Sequence, residues 1–371
     1  MHRHVAEAWT GRYNVSMAEA RNNETRPVLA LSMGDPAGVG PEIIVKAMAN
    51  QELRRAARFV IHGANDVLTL AADRLGISPD WQRVPADNAE LIASADADVV
   101  VRDAEHGGSL LNLPTEPTRR GGHASKKWVD AAIDDAMRGP DDPAAVDAIV
   151  TAPISKHAWR MADHRWPGHT ELLAHRTRTR RTAMFFEAPK MRVVLATVHV
   201  PLMELRNLLT IGRVFDPIDL GHQACIDLGI PAPRIAVCGL NPHAGEQGLL
   251  GDEEIRIIQP AIQMARDAGM NVHGPFPADT IFKQAIDGQW DLVVAMYHDQ
   301  GLIPMKLAQH RTSVNWTIGL PIVRTSPDHG TAYDIAGTGQ ADAGSMEAAI
   351  TLATHLGRQR IASRLDAHNG D

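Results

Sequence analysis

Cysteine is almost absent from this chain. Cys225 and Cys238 are the only two thiols in 371 residues. They form no CxxC and no other metal spacing, and one sits inside an apolar run. This argues against a disulfide scaffold and for a reducing compartment. Aromatic residues are scarce at 4%, and the densest basic run, His175 to Arg181, has none interleaved. An excess of positive charge is also missing: Lys+Arg total 37 against 44 Asp+Glu, a formal net charge of −7. A mildly acidic chain is a poor general binder of nucleic acid or anionic membrane. The basic run therefore reads as a solvated helix end, with a local anion site as the second reading. No apolar run approaches the roughly 20 residues of a membrane span. The opening stretch, "MHRHVAEAWTGRYNVSMAEARNNETRP", has no apolar segment of the secretory kind. Residues 1–26 are expected to be a loosely ordered extension, at most partly helical. The expectation is a soluble, cytoplasmic protein without nucleic-acid or membrane partners.

What the chain does have is 44% hydrophobic residues, enough to bury a real core in about two domains. Short β-rich runs recur at Val28 to Leu31, Phe59 to Ile61, Val99 to Val101, Ala148 to Val150, Val193 to Leu195, Ile235 to Val237 and Leu292 to Val294. Amphipathic segments such as Glu42 to Ala49 and Ile255 to Ala268 lie between them. This alternation predicts an α/β protein with a largely parallel sheet. The aperiodic stretch Asp103 to Ser125 reads as a long loop, and "GPDDPA" from Gly139 to Ala144 as a second break. A domain boundary near either is expected.

Ligands in open α/β sheets bind beyond the carboxyl ends of the strands, so the residues following each run matter most. Three runs are followed by a histidine: His199, then His243 in "NPHAGE", then His298 in "VVAMYHDQG". Imidazole is the commonest ligand for zinc-like ions, and three ligands with an open fourth position describe a catalytic site. Any one of 18 histidines is ordinarily a satisfied polar residue; three at equivalent strand ends make the metal reading and the ordinary one about equally good on pattern alone. The segment Gly34 to Glu42 has Pro41 suited to a first helical position and Gly38 and Gly40 suited to a tight turn. It is neither GxGxxG nor a Walker loop. Its helix start either faces an anion or has no ligand at all. In "PGHTE", Thr170 reads as an N-cap beside His169. With Lys306, Asn315 and Arg324 these residues describe a phosphate pocket, Arg supplying a bidentate fork.

Taken in order, "SMGDPAGVGPE", "TAPISK", "PGHTE", "NPHAGE", "GDEEIR", "GPFPADT", "MYHDQG" and "GLPIVRTSPDHGTAYDIAGTG" resemble the 4-hydroxythreonine-4-phosphate dehydrogenase family of vitamin B6 (pyridoxine) biosynthesis. The resemblance runs from about Val28 to the C-terminal helix. "HGTAYDIAGTG" is also similar to the cofactor loop of isocitrate and isopropylmalate dehydrogenases. The resemblance implies their fold, two α/β domains with a cleft between them. It nests the domains: 27–150 with 325–371 form the first and 151–324 the second. It also implies a homodimer with a metal ligand donated across the interface. By the same resemblance His199, His243 and His298 bind a divalent ion (Zn, Mg, Mn or Co). His169, Thr170, Lys306, Asn315 and Arg324 contact the substrate, and His329, Gly330, Thr331 and Asp334 contact NAD or NADP. The implied reaction is oxidation of a phosphorylated hydroxy acid with decarboxylation. Lys306, Asp279 and Asp299 are the candidate bases, and the two aspartates have a second reading as supports for the metal histidines.

Three substrates stay open within the resemblance. They are 4-hydroxythreonine-4-phosphate, a four-carbon sugar-acid phosphate such as D-threonate or D-erythronate 4-phosphate, and a terephthalate-type cis-dihydrodiol. The retained His169, Thr170, Asn315 and Arg324 argue against the last, which has no phosphate. "AQHRTSVNW" between Lys306 and Asn315 departs from the family's more Gly-rich stretch. A non-catalytic metal-binding protein is the reading from a different class.

Overall fold

The computed structural model describes residues 26–88, 97–104, 108–309 and 312–369. The expected N-terminal extension lies outside the described residues, apart from Arg26, and so does part of the "AQHRTSVNW" departure. The chain divides into two compact units, Met1–Thr179 with Leu320–Asp371, and Arg180–Gly319. The nesting is as expected, but the boundaries are not: 151–179 and 320–324 belong with the first unit. The reason is packing. Trp159, Leu172, Leu173 and Ile322 enter the same core as Ala30, Val129, Ile133 and Ile149.

The first unit is built on strands β1 (Val28–Ser32), β2 (Arg58–Gly63), β3 (Gln82–Pro85), β4 (Val99–Asp103), β5 (Ala148–Thr151) and β12 (Val323–Pro327). They lie in the order β3-β4-β2-β1-β5-β12, all paired in parallel. Its helices are α1 (Gly40–Met48), α2 (Gln51–Ala56), α3 (Asn65–Leu75), α4 (Arg119–Ala136), α5 (Lys156–Met161), α6 (His169–Arg176) and α12 (Gly344–Asn369). Pro41 stands at the start of α1, as expected.

The long loop expected from Asp103 to Ser125 is cut short by α4, which starts at Arg119. Thr118 caps it by accepting from the Gly121 amide. Two glycines hide this helix from a propensity reading, yet one is required. A Cβ on Gly122 would sit 2.1 Å from the Ala158 carbonyl oxygen, so α4 and α5 pack backbone to backbone there.

The second unit contains β6 (Ala183–Ala188), β7 (Met191–Leu195), β8 (Ile235–Cys238), β9 (Val272–Phe276), β10 (Leu292–Ala295) and β11 (Val314–Ile318), ordered β11-β6-β7-β10-β8-β9. β7, β10, β8 and β9 are parallel, while β6 runs antiparallel to both β7 and β11. Helices α7 (Leu205–Leu208), α8 (Ile211–Asp227), α9 (Gln259–Asp267), α10 (Ala278–Ile286) and α11 (His298–Gln309) surround it. Its core gathers Phe186, Val193, Leu195, Ala236, Val293, Ile281, Leu302 and Met305. Both cysteines are buried thiols outside any disulfide, and burial pushes the Cys238 thiol up.

All seven expected strand runs are strands. β3, β6, β9, β11 and β12 escaped the apolar criterion for local reasons. β3 buries only Val84. β9 contains Gly274 and Pro275. β11 and β12 carry polar residues at buried positions, Thr317 and Arg324 among them.

Candidate active site

In the second unit, β10 pairs with β7 on one side and β8 on the other, all parallel. Their carboxyl ends therefore share one edge. His199 follows β7, His243 follows β8 and His298 opens α11 directly after β10. The His199 and His298 rings lie 5.7 Å apart between centroids. The Nδ1 of His298 is 2.7 Å from the Asp299 carboxylate. A carboxylate only accepts, so His298 donates from Nδ1 and keeps Nε2 as its lone-pair nitrogen. His243 stands likewise, with Nδ1 3.0 Å from the Glu246 carboxylate. In the neutral form each imidazole would then present Nε2 as a metal ligand does. Among the described residues, no three His, Cys, Asp or Glu side chains are grouped closely enough to hold a metal ion. A single chain brings His199 and His298 together and does not add His243 to them. The chemistry of the donors suits a divalent ion; their number in one chain falls short by one.

The loop carrying His243 is held in an uncommon conformation. His243, Ala244, Gly245, Glu246 and Gln247 all have positive φ, between 45° and 80°. Left-handed backbone costs roughly 1–2 kcal/mol per non-glycine residue, so something must hold it. Glu254 does. Its carboxylate, only 2% exposed, accepts from the Leu240 and Asn241 amides at 2.7 Å each. It also accepts from the Asn241 side chain at 2.9 Å. A Cβ on Gly245 would come within 2.6 Å of that carboxylate, so only glycine fits the cradle. Glu254 begins a π-helical turn, Glu254–Ile258, a device frequent at functional sites. Gln300 ties the neighbouring strand end to this one. It accepts from the Met296 amide at 2.6 Å and donates to the Gly239 carbonyl at 2.8 Å.

The first unit holds His169, Thr170 and Arg324; Lys306 and Asn315 belong to the second. The N-cap of α6 is Gly168 and not Thr170, which lies inside the first turn. The backbone at the cap is extended (φ −177°) and no side chain caps the helix, so Thr170 is left with its hydroxyl uncommitted to capping. Arg324 is buried on β12 and donates from Nε and Nη2 to Thr151 Oγ1 at 3.1 and 2.6 Å. Burial lowers its pKa to about 10. The His169 Nε2 is buried without a hydrogen-bond partner. Burial first, then the charges of Arg324 and Lys156, keep its pKa well below the ordinary histidine range. A buried guanidinium beside a neutral, unsatisfied imidazole is an arrangement for receiving an anion.

The stretch from His329 to Gly339 also lies in the first unit, anchored by the "GDPAGVGPE" segment. Tyr333 donates to Asp35 at 2.8 Å, and the Val39 amide donates to the Thr331 carbonyl at 2.9 Å. Burial raises the Asp35 pKa, opposed by bonds from the Ala37 amide and Tyr333. Glu42 accepts from the Ala341 amide at 3.0 Å and pairs with Lys46, whose ammonium reaches the Gly339 and Ala341 carbonyls. The amides of Ala37, Gly38 and Val39 are thereby taken by protein acceptors. The turn before α1 is a clasp for this loop. A pocket of about 130 Å³ opens beside it, lined among others by Gly38, Glu42, Arg74, Leu110 and Gly337. Asp279 and Lys306 are exposed, at the start of α10 and in the last turn of α11. Asp35, Glu42, Tyr333, Glu254 and Gln300 were not singled out by sequence. Each is a polar residue inside a motif with nothing apolar to pack, the one signal that could have found them.

A family model for PdxA, pyridoxal phosphate biosynthetic protein PdxA, matches residues 54–353. A 4-hydroxythreonine-4-phosphate dehydrogenase of Desulforapulum autotrophicum is 42% identical over 343 residues, 91% of this chain and 99% of the relative. A D-threonate 4-phosphate dehydrogenase of Salmonella typhimurium is 44% identical over 345 residues, 90% of this chain and 99% of the relative. The crystal structure of a 4-hydroxythreonine-4-phosphate dehydrogenase from Klebsiella pneumoniae superposes with a TM-score of 0.78 at 40% identity, covering 91% of this chain and 100% of that one. On this extent of likeness, the chain belongs to the PdxA family.

Proposed function

We propose that the protein is an NAD-dependent dehydrogenase that oxidises the secondary alcohol of a phosphorylated hydroxy acid and releases CO2, of the 4-hydroxythreonine-4-phosphate type. The observation that carries the substrate class is the buried Arg324 together with His169, a half-buried residue whose Nε2 is buried and unsatisfied. A terephthalate-type dihydrodiol would bring only a singly charged carboxylate to them. The D-threonate 4-phosphate reading stands beside the first, because relatives of that name are as similar to this chain as the others.

In this reading Arg324, His169 and Thr170 bind the phosphate, and Asn315 and Lys306 contact the rest of the substrate. Asp299, engaged by His298, orients that imidazole. This leaves Lys306 and Asp279 to take the hydroxyl proton. His329, Gly330, Thr331 and Asp334 are assigned to the dinucleotide. Bound NAD would supply the hydride acceptor, and a divalent ion on His199, His298 and a third imidazole would polarise the reacting oxygens. Oxidation of a hydroxyl β to a carboxylate gives a β-keto acid, which loses CO2.

The third imidazole is assigned to His243 of a second copy, in a homodimer. Large exposed apolar side chains follow each histidine, as a covered face would need. Leu202 and Met203 (85% exposed) come after His199. Leu249 (79%) and Ile255 come after His243, and Ile303 and Leu307 (84%) come after His298. NADH formation with 4-hydroxythreonine-4-phosphate, D-threonate 4-phosphate and a terephthalate-type dihydrodiol tests the function. Turnover of the dihydrodiol alone would refute it. For the shared site, His199→Ala and His243→Ala proteins, each expected to bind no metal, are mixed under subunit exchange. Metal content should recover to about a quarter of wild type, since half the dimers are mixed and each has one intact site of two. No recovery would place all ligands in one chain.

A further inference from the structure

We infer that Lys156 is a further substrate-binding residue, the second cation of the phosphate pocket in the first unit; this rests on the substrate class proposed above. Lys156 is the first residue of α5, directly after the cap Ser155, whose hydroxyl accepts from the Ala158 amide at 3.1 Å. Its position along the chain is therefore fixed by a capped helix start immediately beyond β5. The side chain runs back over the start of α6: a Cβ on Gly168 would lie 3.4 Å from Lys156 Cε. The ammonium is close enough to His169 to depress its pKa together with Arg324.

Arg324 and Lys156 thus both act on the imidazole whose Nε2 is buried, and Lys156, exposed at the start of α5, has no ion pair or hydrogen bond among the described residues. Glu171 is the carboxylate at this place, its Oε2 also 3.4 Å from that Gly168 position, and it is not bridged to Lys156. A lysine without an ion pair and a buried arginine, both acting electrostatically on one unsatisfied ring nitrogen, suit the arrival of an anion. The charge count fits a phosphate dianion better than a single carboxylate: Arg324 and Lys156 match its two charges, and His169 Nε2 adds a neutral hydrogen bond.

The test compares Lys156→Ala and Lys156→Arg with wild type, using both phosphate esters as substrates. Lys156→Ala should raise KM for the productive ester about 10–100-fold, the effect of one charge-assisted hydrogen bond, with kcat within about threefold. Lys156→Arg should recover most of the loss. A second readout needs no turnover. Trp159 lies edge-on to His169 at 5.5 Å between ring centroids, so inorganic phosphate is titrated against tryptophan fluorescence, and Lys156→Ala should need at least tenfold more phosphate. If wild type turns over a phosphate ester and Lys156→Ala keeps its KM within twofold, the inference is overturned and the function stands. A kcat loss with unchanged KM would also overturn it, since that is a structural role. If wild type turns over neither ester, the proposed function fails and the inference with it.

Discussion

Replacing Glu254 with alanine should unfasten the loop that carries His243. The carboxylate accepts three hydrogen bonds at 2.7–2.9 Å while only 2% exposed. Without it, the Leu240 and Asn241 amides lose their acceptor. An unsatisfied buried donor costs about 1–3 kcal/mol. With water reaching these half-buried residues, the pair should cost about 2–4 kcal/mol. The Asn241 side chain keeps its bond to Glu253 at 2.7 Å, so it adds little to that sum. The left-handed residues His243, Ala244, Glu246 and Gln247 gain by relaxing, at roughly 1–2 kcal/mol each. The loss should therefore appear as local opening as well as lower global stability. Urea unfolding gives the global term, and amide hydrogen exchange over 240–250 gives the local one. Glu254→Gln keeps one oxygen that can accept both backbone amides, so it should lose about 1–2 kcal/mol and most of the loop's protection should survive. A Glu254→Ala protein within about 1 kcal/mol of wild type, with unchanged exchange in the loop, would show that the carboxylate does not hold it.

Further perturbations test other parts of the structure. Gly122→Ala places a methyl 2.1 Å from the Ala158 carbonyl and should cost about 1–3 kcal/mol in urea unfolding. Gly139→Ala, with open space around it, should stay within about 0.5 kcal/mol. Burial, helped by Asp342, raises the Glu347 pKa to about 7 from 4.5, against a bond from Asn50. The folded state therefore holds this proton more tightly than the unfolded chain. The associated stability is complete below about pH 4.5 and is lost as pH rises through about 7. Wild type minus Glu347→Gln stability should fall between pH 5 and pH 8 by roughly 1–3 kcal/mol; a flat difference would refute the assignment. Arg324→Ala should raise KM for the productive phosphate ester at least 100-fold, since it removes a buried guanidinium from the anion pocket; an unchanged KM in steady-state assays would separate Arg324 from the substrate.

Much of the fold was legible because buried parallel strands must be apolar on both faces. β1, β2, β4, β5, β7, β8 and β10 announce themselves in this way. β12 does not, because Arg324, Thr325 and Ser326 on it are polar at buried positions. Helix α4 was hidden by Gly121 and Gly122, which local propensity penalises and close packing against α5 requires. His199, His243 and His298 stood out because they follow apolar runs whose ends converge. Glu254 did not, since its carboxylate works through the backbone amides of Leu240 and Asn241, contacts that no short pattern records.

The sequence by itself determined the α/β class, the parallel strands, the family and the chemically active residue types, because these follow from local periodicity and ordered motifs. Only the tertiary structure decided which strands are neighbours, and that Asp35 and Glu42 clasp the loop near Gly339. It alone paired His199 with His298 while leaving His243 on its own left-handed turn. Such facts depend on contacts between residues distant in sequence, where burial and unsatisfied hydrogen bonds select one arrangement and no short pattern records it.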